Sequence, residues 1–179
     1  MKKAVNTFLI LATGLLFACS NNPSSNDVTE PDPKTKQETI TPSQPQQINY
    51  DTYVNQRYDY AIDYPTFLTP QPEAYNGDGR VFTNGDEEMK VYAMYNVLEQ
   101  SIQDLKEFYE SSIDGSIDYS VQKENWFILS GTNSDGNLYY MKTILTDDTE
   151  YTVQFTYPKK KKELYNVIVE TVSKSFDVD

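Results

Sequence analysis

Histidine is missing altogether, and cysteine and tryptophan each occur once in 179 residues. Without imidazole the chain lacks the commonest general base and the commonest side-chain metal ligand. A Ser-His-Asp triad cannot be assembled. One cysteine, Cys19, excludes an intramolecular disulfide and a cysteine zinc site. Cations are scarce as well: 15 Lys and Arg face 27 Asp and Glu, a formal net charge of −12. Such a surface repels phosphate, which excludes nucleic acid as a partner. Acids are plentiful enough to form chance pairs, yet none sits at a spacing that marks two-carboxylate chemistry. The residues therefore predict no catalytic group, no metal site and no cofactor.

What the N-terminus does contain is an address. Lys2 and Lys3 precede the apolar stretch Ala4 to Ala18. At roughly 15 residues this stretch is shorter than the ~20 that cross a bilayer. A charged start, a short apolar run and a small exit residue describe a secretory signal. The exit, Leu16-Phe17-Ala18-Cys19-Ser20, resembles the bacterial lipobox, with an aliphatic residue at −3, a small one at −1 and cysteine at +1. The expectation is a signal peptide over residues 1–18, cleaved so that the Cys19 thiol carries the lipid. Cleavage removes Lys2 and Lys3 and no acid, taking the net charge from −12 to −14. Two or more acyl chains anchor stably, because each buried CH₂ contributes about 0.8 kcal/mol. In a Gram-negative host, Ser20 rather than Asp at +2 resembles the pattern sorted to the outer membrane.

From residue 19 to 47 the character changes. Pro23, Pro31, Pro33, Pro42 and Pro45 punctuate a polar run nearly free of apolar residues. Such a segment buries too little surface to offset the entropy of ordering, so a disordered tether is expected. With flexible-chain statistics its reach is roughly 30 Å.

Residues 48–179 suit one domain. Tyr58, Tyr60, Ile62 and Tyr64 alternate with Asp59, Ala61 and Asp63, the period of a half-buried strand, and Pro65 ends it. Val81-Phe82 and Met89 to Tyr95 flank the turn signal Asn84-Gly85-Asp86 and predict a hairpin. Ser116 to Gln122, Trp126 to Ser130, Leu138 to Leu145 and Tyr151 to Tyr157 read as strands. The Trp126 segment, apolar on both faces, is expected at the sheet centre. Short connections make neighbours antiparallel. Ser101 is placed to cap a helix bearing Ile102, Leu105, Tyr109 and Ile113 on one face, ended by Gly115. A last helix begins near Pro158, with Leu164, Val167, Ile168, Thr171, Val172 and Phe176 as its apolar stripe. The order predicts an α+β domain: a mainly antiparallel sheet of about six to eight strands with two principal helices packed on it.

Four segments carry a family likeness. They are Tyr60-Ala61-Ile62-Asp63-Tyr64-Pro65, the loop Asn76 to Phe82, Asn125 to Gly131, and Phe155-Thr156-Tyr157-Pro158 before the last helix. Together they resemble bacterial envelope proteins related to the PsbP/Mog-like fold, the group that includes the lipoprotein DcrB. The resemblance covers most of residues 54–177. It implies that fold, and it implies binding of other proteins or help in assembly rather than catalysis. Fold analogy alone licenses no activity.

Three side chains stand out as ligand-binding candidates: Asp78, Arg80 and Trp126. In Asn76-Gly77-Asp78-Gly79-Arg80, Arg80 offers a planar fork for a carboxylate or phosphate and the glycines allow close approach. The simpler reading is a structural turn in which Asp78 accepts loop amides and Arg80 pairs with an acid. Trp126 is a ring platform or, given its apolar neighbours, a core residue. The 15 tyrosines invite a sugar- or peptide-binding role, although tyrosine also suits half-exposed strands. Lys159 to Lys162 place positive charge at a helix start, against the dipole; anionic lipid or an acidic partner would explain them, as would a solvated face. The leading expectation is a non-catalytic envelope lipoprotein, held to the membrane through Cys19, that binds a protein or another envelope component. The alternatives are a carboxylate-dependent cell-wall hydrolase working through Asp78 and a small-ligand carrier working through Arg80.

Overall fold

Residues 47–178 are described by the computed structural model. The signal segment, Cys19 and nearly all of the tether lie outside the described residues. Among the described residues no helix is long and apolar enough to cross a membrane.

The elements run β1 (Tyr50–Asn55), β2 (Tyr60–Pro65), β3 (Thr69–Pro70), β4 (Gly79–Thr83), β5 (Glu88–Tyr95), α1 (Ile102–Ser112), β6 (Gly115–Gln122), β7 (Trp126–Asn133), β8 (Leu138–Leu145), β9 (Thr149–Tyr157), α2 (Lys162–Ser175) and β10 (Asp177–Val178). A short 3₁₀ turn, Lys159–Lys161, precedes α2. The strands form two sheets rather than one. Seven make an antiparallel sheet in the order β3-β4-β5-β9-β8-β7-β6, and the other three make β1-β2-β10. The larger sheet agrees with the expected strand number and pairing. The smaller one departs from it because β10 reaches back from the chain end to pair Asp177 with Ala61.

Local signals explain most elements. The β4–β5 hairpin pairs Phe82 with Met89. Its turn is braced by Asn84, whose Oδ1 accepts from Glu87 N at 3.2 Å, while Gly85 supplies a φ of 101°. In α1 the Ser101 Oγ accepts from Asp104 N at 3.2 Å and Asp104 Oδ2 accepts from Ser101 N at 2.9 Å. This reciprocal pair satisfies two amides that the first turn leaves free. The helix stops at Ser112, and Gly115 opens β6 instead of ending α1. That glycine serves a close approach: a Cβ on it would lie 2.1 Å from Thr132 O. Edge strands are blunted by a bulge between Ile117 and Tyr119 in β6 and by Pro70 in two-residue β3.

Alternation sorts side chains to the two faces of the larger sheet. Tyr151, Val153, Phe155 and Tyr157 of β9 and Met89, Val91 and Ala93 of β5 point to one face. There they meet Ile168, Val172 and Tyr165 of α2 and Tyr53, Tyr60 and Ile62 of the small sheet in the main core. Tyr60 packs edge-on against Tyr53, Tyr151 and Phe176. Tyr157 and Tyr165 stack at 4.0 Å. On the opposite face Phe127, Leu129, Tyr139 and Met141 pack under Leu105 of α1. Seven of the 15 tyrosines are buried and four more pack half-buried against a core, in keeping with the strand reading of these residues.

Three sequence expectations are corrected. Tyr58 lies in the β1–β2 turn, where it is buried but outside the strand. The central strand is β9; β7 is second from an edge. The stripe of α2 is rotated: Tyr165 is fully buried and Val167 is 56% exposed. A stack on Tyr157 outweighs the aliphatic pattern, and a Tyr–Ile–Val line at 165, 168 and 172 faces the sheet. Truncating Ile168→Ala should lower unfolding free energy by about 2–5 kcal/mol in urea titrations. Val167→Ala should stay within about 0.5 kcal/mol. Equal costs would contradict this rotation of the helix.

Candidate functional site

The loop before β4 is built around two side chains that no motif marks. Asn55, fully buried, donates through Nδ2 to Gly77 O at 2.9 Å and accepts through Oδ1 from Arg57 N and Tyr58 N, each at 3.0 Å. It joins the β1–β2 turn to the glycine loop. Glu73 is the second. Its Oε1 accepts from Tyr53 Oη at 2.8 Å and its Oε2 accepts from Arg80 Nη2 at 3.2 Å. The Arg80 guanidinium also lies 5.1 Å from the centroid of the Tyr53 ring. Arg80 is therefore held by an acid seven residues upstream and by a ring from the small sheet. Asp78 Oδ2 accepts from Asn76 Nδ2 at 2.6 Å, and its backbone carbonyl accepts from Ala93 N at 2.9 Å. Both side chains fasten their own loop.

Asp78 and Arg80 nonetheless share a cleft of about 330 Å³ with Gln71, Pro72, Lys90 and Tyr92. Trp126 is not part of it. Register places Trp126 opposite Ile144, Ile144 opposite Tyr151 and Tyr151 opposite Ala93, beside Asp78. Four strand spacings separate Trp126 from Asp78, roughly 19 Å. The half-buried indole packs against the main core, which is the core reading of that residue.

The same register shows what lies beside the cleft. Val81, Lys90, Gln154, Met141 and Leu129 form one row across the face that carries α1. α1 roofs only the β7–β8 end of that row. A second hollow of about 320 Å³ opens under the end of α1, lined by Tyr109, Ile113, Asn133, Tyr139, Met141 and Gln154 among others. Lys90 lines the first and Gln154 the second, and the two residues are cross-strand partners.

One buried acid sits beneath α1. Glu150 is 4% exposed and faces no cation among the described ion pairs. Tyr109 Oη donates to its Oε1, and Thr152 Oγ1 lies 3.4 Å from the same atom. Tyr92 Oη is 3.2 Å from Tyr109 Oη. Burial pushes the Glu150 carboxyl above its ordinary value, partly offset by the two hydroxyls. The arrangement fastens α1 to β9. Among the described residues its side-chain hydrogen-bond partners are the hydroxyls of Tyr109 and Thr152. The other deeply buried acid, Glu87, is 2% exposed and accepts from Lys161 Nζ and Asn84 Nδ2. Burial pushes that carboxyl up, but Lys161 and Asn84 outweigh it and hold it below the usual range. Sequence reasoning missed Glu73, Glu87 and Glu150 as anchors. Glu150 precedes Tyr151 at a strand start, where an acid looks solvated, and only the roof of α1 makes it buried.

Linkage turns Glu150 into a pH signature. Its folded value is raised, so its stabilisation is complete below the unfolded value near 4.5 and is lost as pH rises through the folded one. The unfolding free energy of wild type relative to Glu150→Gln should therefore fall as pH rises above the ordinary carboxyl value of 4.5. Parallel stability curves over that range would overturn this account of Glu150.

No protein-family model matches this chain, and no curated protein matches it. Among solved structures it is similar to the solution structure of cyanobacterial PsbP (CyanoP) from Synechocystis. The TM-score is 0.55 and the sequence identity 14%; the likeness covers 74% of this chain and 94% of that one. Two helices and mainly antiparallel strands in this arrangement constitute a PsbP-like fold.

Proposed function

We propose that this chain is a membrane-anchored envelope lipoprotein whose PsbP-like domain binds an envelope component, above all a protein, without catalysing a reaction. Acyl chains on Cys19 hold it to the membrane and residues 19–47 form the tether. The observation that carries the non-catalytic reading is the state of the two candidate polar groups. Arg80 is paired with Glu73 and Asp78 is bonded to Asn76, so the cleft presents loop fasteners rather than a free acid and base. The absence of histidine points the same way.

The anchoring reading draws support from where the chain joins the domain. Gln47, Ile48 and Asn49 line a hollow with Phe67, Asn84, Lys161 and Leu164. The lysine run is beside that point. Lys161 is engaged by Glu87, whereas Lys159, Lys160 and Lys162 are exposed and pair with no acid among the described residues. Their charge supports a contact with anionic head groups.

Two measurements test the proposal. Intact mass of the native protein should show an N-terminus at residue 19 and an acylated Cys19; a free thiol there would remove the anchor. Peptidoglycan and ester substrates should not turn over. Turnover that vanishes in Asp78→Ala, with the fold intact, would replace the binding reading by the hydrolase one.

A further inference from the structure

The end of the domain remote from Gln47 carries a concentration of exposed apolar side chains. β5 starts beside the Asn84 turn, which shares a hollow with Gln47, and runs eight residues to Tyr95. At about 3.4 Å per residue its far end is roughly 24 Å away. There Val97 is 82% exposed, Leu98 76%, Tyr95 52% and Met94 42%. Tyr75, fully exposed, stands in the Ala74–Gly77 turn just before Asp78, whose carbonyl accepts from Ala93 N near the end of β5. Single exposed apolar residues need no explanation, whereas several at one place mark an interaction site.

The tip is also rigid. Asn96 N donates to Asp148 O at 2.7 Å, and Glu99 N donates to Asn96 O at 3.0 Å. The Asn96 side chain closes the loop from both sides, accepting from Gln100 N at 2.9 Å and donating to Gln100 O at 2.8 Å. Glu99 adopts a φ of 51°, a left-handed conformation uncommon for a residue with a side chain. Val97 and Leu98 are thus held outward on a fixed loop. A partner that buries them has little loop entropy to overcome.

Charge narrows the choice of partner. Glu99, Glu124, Asp147 and Asp148 stand on the loops around the tip, and Asp59 is in the β1–β2 turn beside Tyr58, whose ring packs on Tyr95 at 5.1 Å. Arg57 and Lys123 are the cations in these turns. An acidic rim repels an anionic lipid surface and complements a basic one. We infer that this end is a protein-docking surface: Val97 and Leu98 enter an apolar groove on the partner whose edges carry lysine or arginine. The inference rests on the reading that the domain binds a protein, and it adds where and with what chemistry.

The test uses the full chain in its own cells. A photocrosslinker, p-benzoylphenylalanine, replaces Leu98 in one strain and Val167, exposed on α2, in another. Irradiation should give one protein adduct from position 98 and not from position 167, with lysine or arginine in the attached partner peptide. Val97→Asp, and separately the pair Glu124→Lys and Asp147→Lys, should each lower the adduct at least about tenfold without changing the melting curve. Adducts to lipid or to a second copy of this chain would overturn the inference, as would a yield indifferent to the charge reversal. If position 98 gives nothing while position 167 captures a specific protein, this surface is refuted and the binding function stands. If neither does, both fall.

Discussion

Tyr151, Val153, Phe155 and Tyr157 must be kept from water, and that constraint organises the domain. They occupy one face of β9, the strand with three others on either side of it in the larger sheet. Covering them requires more apolar surface than one short helix offers. α2 brings Tyr165, Ile168 and Val172, and the small sheet brings Tyr53, Tyr60 and Ile62. The two covering layers are themselves joined: β10 follows α2 directly and pairs with β2, and Ser175 Oγ accepts from Asp63 N at 2.9 Å. Burying β9 therefore draws the first and last described segments of the domain together.

The other face is treated differently. β9 presents Glu150, Thr152, Gln154 and Thr156 to it, and α1 covers the β7–β8 end together with Glu150 at the start of β9. Where the roof passes over Glu150, the acid needs hydroxyl partners, because an unpaired buried carboxylate is expensive to ionise. Tyr109 and Thr152 supply them. Where the roof ends, the sheet stays open in the hollows beside Lys90 and Gln154. In the loop at its edge, the polar groups are committed to one another: Glu73 joins Arg80 to Tyr53, and Asn55 joins two turns. Such networks rigidify a surface.

Function, on this reading, lies at the two ends of the strands rather than in a cleft. One end holds Gln47, the first described residue, and carries the lysine run, where Lys161 also neutralises buried Glu87. The opposite end presents Val97 and Leu98 within an acidic rim. Under the proposed anchor, the fixed apolar tip would be free to engage a protein while the chain is held at the membrane.

Much of this was legible in the residues. Period-two alternation marked β2, Asn84-Gly85 marked the β4–β5 hairpin, and Ser101 marked the start of α1. These signals act over a few residues, through turn geometry, capping bonds and one-sided burial, so the chain states them locally. The partners that decide burial are remote in sequence. Tyr165 rather than Val167 faces the sheet because Tyr157 awaits it, Glu150 is buried because α1 crosses it, and Arg80 is quenched by Glu73 across a loop. By itself the sequence determined both helices and the strands other than β1, β3 and β10, the antiparallel pairing and the lack of imidazole chemistry. Only the tertiary structure decided the split into two sheets, the face each helix shows, and which polar groups are tied down, because those depend on surfaces that meet only once the chain has folded.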